Sequence, residues 1–166
     1  AGEPFDAAAV LAARASSTSW PPGCRRGRGL RVASRIMVVD GMGGRIGQEI
    51  VQRLRTAFGE SVEILAVGTN STATSAMLKA GANRGATGEN AVRVTSREAD
   101  ILVGPLSALI PNSMMGEVTQ AMAEALSLAD ARKVMLPLTN PRLDLVGTTK
   151  DPLPHLLEDA IATVAS

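Results

Sequence analysis

Residues 36–54, IMVVDGMGGRIGQEIVQRL, decide how the chain folds. Ile36 to Val39 form a short aliphatic run of strand type, and Asp40 ends it. Glycines follow at 41, 43, 44 and 47, and from Ile46 onward Ile46, Ile50, Leu54 and Phe58 recur every four residues. That spacing gathers apolar side chains on one face of a helix. A strand, a glycine turn and a helix in this order form the phosphate-binding corner of an open α/β sheet. Glycine permits a tight turn there and lets a ligand approach the backbone. The helix start adds unpaired N–H groups and the positive end of its dipole.

The strict G-x-G-x-x-G spacing is not met, because Ile46 stands where its third glycine belongs. The chain has Gly41-x-x-Gly44-x-x-Gly47 instead, a variant also used by Rossmann domains that bind NADP. The run GMGGRIG resembles the turn of dihydrodipicolinate reductases, and nothing further along supports that family. The plain alternative is a tight turn that binds nothing.

Downstream, the pattern alternates. Val62–Val67 is the second strand, ending in Gly68-Thr69-Asn70-Ser71. Ser71 is expected to cap a helix over 72–80, with Gly81 stopping it. A polar, glycine-rich loop spans 81–92. Strands are expected at 100–104, at 133–138 and, shorter, at 92–95 and 143–147. Helices are expected over 114–129, with Met115, Val118, Met122 and Leu126 inward, and from Asp151 onward, with Leu153, Leu157, Ile161 and Val164 inward. No repeats occur. The fold expected for residues 35–166 is α/β: a three-layer Rossmann-like, open, mostly parallel sheet with helices on both faces.

In such a sheet, ligands bind in the crevice outside the carboxyl ends of the strands. Almost every polar cluster follows a strand, which gives the candidate site. Asp40, Gly41, Gly43, Gly44, Arg45 and Gly47 come from the first turn. Thr69, Asn70 and Ser71 follow the second strand, Asn83, Arg84 and Thr87 come from the 81–92 loop, and Asn112 and Ser113 follow the 100–104 strand. Thr139 and Asn140 end a later one. No acid closes the second strand to take a ribose hydroxyl, as NAD-binding folds require. Thr69, Asn70 and Ser71, with Arg45 as counter-charge, suit a 2′-phosphate, so NADP is preferred to NAD and another nucleotide is the alternative. The simpler reading is that these residues only cap and turn the chain.

Asp40 is the candidate catalytic residue. A carboxylate at this strand end can hold Mg²⁺ or a ribose, act as a base, or simply accept N–H bonds from Gly43 and Gly44. The D-x-G-x-G spacing of S-adenosylmethionine-binding domains fails, because Met42 takes the first required glycine position. Other catalytic equipment is thin. Without Tyr there is no Tyr-Lys pair, His155 is the lone histidine, and Cys24 is the lone cysteine and lies outside the domain. No thiolate metal site or disulfide is expected.

Composition narrows the class further. Phe5, Phe58 and Trp20 are the only aromatics, so the core must be aliphatic and Met. The net charge of +1 conceals a split. Residues 1–36 hold six Arg against Glu3 and Asp6, whereas the remainder holds eleven Lys and Arg against fourteen acids. The domain therefore has no basic stripe for nucleic acid. Its longest apolar run, 101–110, is too short to span a bilayer. A cytoplasmic protein is expected, with a homodimer packing on Ala73, Ala76 and Ala80. Residues 1–34 lack a sustained hydrophobic period and read as a disordered or non-native extension.

From Ile36 onward the chain resembles a family of small bacterial proteins defined as a domain of unknown function (number 3842). The runs VVDGMGGRIG, ILAVGTNSTATSAMLKAGANRGATGENAV, ADILVGP and NSMMGE carry the resemblance. It implies a Rossmann-like fold and a start near Arg35, and it brings no activity with it. The sequence thus leads to a nucleotide- or dinucleotide-binding protein, acting as a small enzyme or enzyme subunit. Its rivals are a non-catalytic nucleotide sensor and a Mg²⁺-dependent phosphotransfer or hydrolytic enzyme using Asp40.

Overall fold

The computed structural model describes residues 34–138, 143–148 and 151–166. Strands β1 (Ser34–Asp40), β2 (Val62–Gly68), β3 (Arg84–Thr87), β4 (Ile101–Pro105) and β5 (Arg132–Leu136) form one sheet in the order β3-β2-β1-β4-β5, with every pairing parallel. The helices are α1 (Arg45–Phe58), α2 (Ser71–Lys79), α3 (Glu89–Thr95), α4 (Gln120–Leu128) and α5 (Leu153–Ala165). This is the expected α/β, Rossmann-like architecture.

The central strands read as unbroken apolar runs because both faces of a parallel sheet are covered. Period-two alternation then sends their side chains into two cores. Ile36, Val38, Ile64 and Val103 pack with Ile50 and Leu54 of α1, Met77 of α2, and Leu157 and Ile161 of α5. Met37, Val39, Leu65 and Leu102 pack with Val92 of α3 and with Met122 and Leu126 of α4. Three layers result. β1 lies between β2 and β4, so the chain leaves it toward one side and returns on the other. The resulting switch point opens a crevice between the carboxyl ends of β1 and β4.

Several boundaries differ from the sequence expectations. Residues 84–87, expected in a loop, form the edge strand β3, and 92–95, expected as a short strand, belong to α3. The helix expected over 114–129 begins only at Gln120. Met114 and Met115 adopt left-handed backbone angles in a 3-10 turn, a conformation that no α-helix continues through, and Met115 is almost fully exposed instead of buried. Asn70, not Ser71, caps α2, its Oδ1 accepting the Ala73 N–H at 2.9 Å. Residues 143–147 are irregular, with a turn at 146–147, rather than a strand. Of Ala73, Ala76 and Ala80, Ala73 is fully buried, and its Cα lies 2.5 Å from where a Cβ on Gly44 would sit, while Ala76 and Ala80 are half-buried. Thr139, Asn140 and the expected 1–34 extension, Ser34 excepted, lie outside the described residues. Among the described residues, no helix is long and apolar enough to cross a membrane.

The entry to α4 gives a test of this layer. Thr119 Oγ1 accepts the Met122 N–H at 3.2 Å and donates to Glu89 Oε2 of α3 at 2.7 Å. Thr119→Ala loses the cap and the inter-helix bond together, so urea unfolding should show a loss of about 1–2 kcal/mol. Thr119→Ser should restore most of it. A Thr119→Ala midpoint unchanged from wild type would mean that water replaces both bonds at no cost.

Candidate functional site

β1 ends on Asp40 because a carboxylate there can satisfy the turn that follows. Its Oδ1 accepts the Gly41 N–H at 2.8 Å and its Oδ2 the Gly47 N–H at 2.6 Å, in a side chain only 3% exposed. The donors are therefore Gly41 and Gly47, not Gly43 and Gly44. Burial raises the Asp40 pKa above the usual carboxylate value. Hydrogen bonds from Gly47, Gly41 and Ile46 oppose that rise, and the charge of Glu117 adds to it.

The turn then closes by a bond from Gly44 N–H to the Gly41 carbonyl at 2.9 Å, and α1 starts at Arg45. Among the described residues, the N–H groups of Gly43 and Arg45 have no protein acceptor, at the positive end of a 14-residue helix. The second strand is stitched to this turn by a bond from Thr69 N–H to the Asp40 carbonyl at 3.0 Å.

A side chain from far along the sequence completes the mouth. The segment after β4 crosses the crevice and delivers Glu117, whose Oε2 accepts from Met42 N–H at 2.7 Å, Asn70 Nδ2 at 2.9 Å and Thr69 Oγ1. The Thr69 bond is the main cause of a Glu117 pKa below the usual carboxylate value, with Met42 and Asn70 adding to it against a desolvation cost. Gly41 is needed for this approach: a Cβ there would lie 2.6 Å from Met114 Sδ, 2.7 Å from Thr69 Oγ1 and 3.0 Å from Glu117 Oε2. Among the described residues, the four non-glycine positions with positive φ, namely Met42, Asn112, Met114 and Met115, belong to the turn or to this covering segment. Backbone strain of this kind persists only where surrounding contacts enforce it.

The sequence candidates separate into two groups. Asp40, Gly41, Gly43, Gly44, Gly47, Thr69 and Asn70 are brought together at the mouth. Ser71 opens α2 beside them and is exposed. Thr87 ends β3 on the same edge of the sheet, level with Gly68, where its Oγ1 meets Thr74 Oγ1 at 2.7 Å. Arg45 is 87% exposed and pairs with Glu49 at 3.6 Å, one turn along its own helix. Asn83 and Arg84 lie toward the opposite end of the strands. Asn83 Oδ1 accepts the Ile64 N–H and an Arg55 guanidinium N–H, and Arg84 pairs with Glu63 at 2.6 Å. Asn112 donates its N–H to the Val118 carbonyl, and the buried Ser113 donates its hydroxyl to the Ser107 carbonyl, so both shape the covering segment.

Sequence reasoning missed Glu117, which lies 75 positions from Met42. Glu117 is the last letter of the run NSMMGE, and no spacing or strand end marks it as a site residue. Among the described residues, no group of three or more His, Cys, Asp or Glu could hold a metal ion.

Compared with known families, the model described as "Domain of unknown function (DUF3842)" matches residues 35–166. No curated protein matches the chain.

Proposed function

The chain belongs to the domain of unknown function family DUF3842, and from that premise, with no activity in the family's description, we propose that it binds a nucleotide in the crevice between β1 and β4. The observation that carries this reading is the start of α1. A left-handed glycine turn at the switch point leaves the Gly43 and Arg45 N–H groups without protein acceptors among the described residues, where helix dipole and backbone both favour a phosphate. Thr69, Asn70 and the Glu117 carboxylate they hold stand beside it at the end of β2. The domain then serves as the nucleotide-binding unit of a small enzyme or enzyme subunit.

A non-catalytic sensor is the second reading, and one observation favours it over Mg²⁺ chemistry. Asp40 has both carboxylate oxygens engaged by backbone N–H groups and is buried, so it shapes the turn instead of presenting lone pairs to a metal or a water.

Thermal unfolding of the full chain against NAD, NADP, ATP, S-adenosylmethionine and flavin mononucleotide tests the proposal. A nucleotide at a hundred times its dissociation constant adds about 2.7 kcal/mol, which is a rise of several degrees in Tm. At least one member of the panel should give it. A flat panel overturns nucleotide binding.

A further inference from the structure

β2 ends in Gly68-Thr69-Asn70 and offers no acid of its own, yet a carboxylate stands there all the same. Glu117 reaches the end of β2 from the segment after β4, held by Thr69, Asn70 and the Met42 N–H through Oε2 alone. Its Oε1 has no hydrogen-bond partner among the described residues. In nucleotide-binding α/β folds the adenosine ribose lies beyond the second strand, where an acid accepts the 2′-hydroxyl and a cation is needed for a 2′-phosphate. Here the donors that would suit a 2′-phosphate, Thr69 and Asn70, are already committed to Glu117. The nearby cation, Arg45, is turned outward to Glu49.

Resting on the nucleotide-binding reading above, we propose that Glu117 is the specificity-determining residue of this site. It takes the ribose 2′-hydroxyl on Oε1 and excludes a 2′-phosphate, so the ligand class is an adenine dinucleotide with an unsubstituted ribose. Three donors fix the carboxylate in place before any ligand arrives, so a hydroxyl meets a preorganised acceptor. A 2′-phosphate meets a like charge that cannot swing away without breaking those three bonds. Discrimination thus comes from repulsion as well as attraction. The preference for NADP drawn from residues 69–71 and Arg45 is thereby reversed.

Titration calorimetry on the full chain, with NAD and NADP as probes, tests this. Wild type should bind NAD at least about tenfold more tightly than NADP, a difference of about 1.4 kcal/mol. Glu117→Gln removes the charge at nearly constant shape and should narrow that ratio to within about threefold, chiefly by improving NADP. Wild type binding NADP as well as or better than NAD overturns the assignment, whether or not the variant folds. So does an equal gain for both nucleotides in Glu117→Gln, which would make the carboxylate an internal anion occupying the ligand's place. If neither nucleotide binds wild type while ATP, S-adenosylmethionine or flavin mononucleotide does, the assignment fails and nucleotide binding stands. If nothing binds, both fall.

Discussion

Gly44→Ala should lower the stability of the protein by about 2–5 kcal/mol and its Tm by roughly 10 °C. Two independent costs combine. Gly44 sits at φ 70° and ψ 12°, in the left-handed region, where a residue with a Cβ is disfavoured by about 1–2 kcal/mol. The added Cβ would also lie 2.5 Å from Ala73 Cα and 3.0 Å from Ala73 O. Those are backbone atoms of α2 and cannot rotate away as a side-chain tip does. Relief requires α1 and α2 to separate, an overpacking cost of about 1–3 kcal/mol. Against a total stability of about 5–15 kcal/mol, that is a large fraction. Gly43→Ala is the control. Among the described residues, nothing beyond its own chain neighbours lies within 4 Å of its Cβ position, and its stability should stay within about 0.5 kcal/mol of wild type. Equal losses at both positions in a denaturant titration would mean that any Cβ in the turn is costly, and that the α1–α2 approach is not the cause.

The same contact shows why part of the fold was legible and part was not. β1, its turn and α1 are written locally: an aliphatic run, then glycines, then a four-residue apolar period. β2, β4 and α5 declare themselves by the same kind of short-range pattern. β3 does not, because Arg84, Gly85 and Thr87 are exposed at the sheet edge and no apolar alternation marks them as a strand. It is a strand because Leu65 to Gly68 pair with it, which is a tertiary fact. The segment 114–119 misled for a related reason. Met115 continues the apolar spacing of Val118, Met122 and Leu126, but the chain spends those residues on a left-handed turn that carries Glu117 to the glycine turn. The half of the site that follows β1 and β2 could be found from glycine spacing and strand ends. Glu117 could not, since a hydrogen bond between residues 42 and 117 leaves no periodic trace in either segment.

Asp40→Ala is the second large effect expected, at about 2–5 kcal/mol. It strands two buried donors, the N–H groups of Gly41 and Gly47, and each unpaired buried donor costs about 1–3 kcal/mol. Asp40→Asn keeps the shape but turns an amide N–H₂ toward one of those donors, so it should fall between wild type and Ala. Its pH dependence is the sharper result. Asp40 has a folded pKa raised above its ordinary value of 3.8, chiefly by burial. The folded protein therefore holds this proton more tightly than the unfolded chain. The stabilisation that follows is fully present below pH 3.8 and is lost as pH rises through the folded value. Asn at this position cannot titrate. The stability gap between wild type and Asp40→Asn, measured by urea unfolding at a series of pH values, should be widest at acid pH and narrow as pH increases. Glu117 titrates with the opposite sign in both proteins, its lowered pKa adding stability above 4.5 that falls away toward acid, so it largely cancels in the difference. A gap that widens with rising pH would show that the Gly41 and Gly47 N–H groups hold Asp40 as an anion more strongly than burial opposes it.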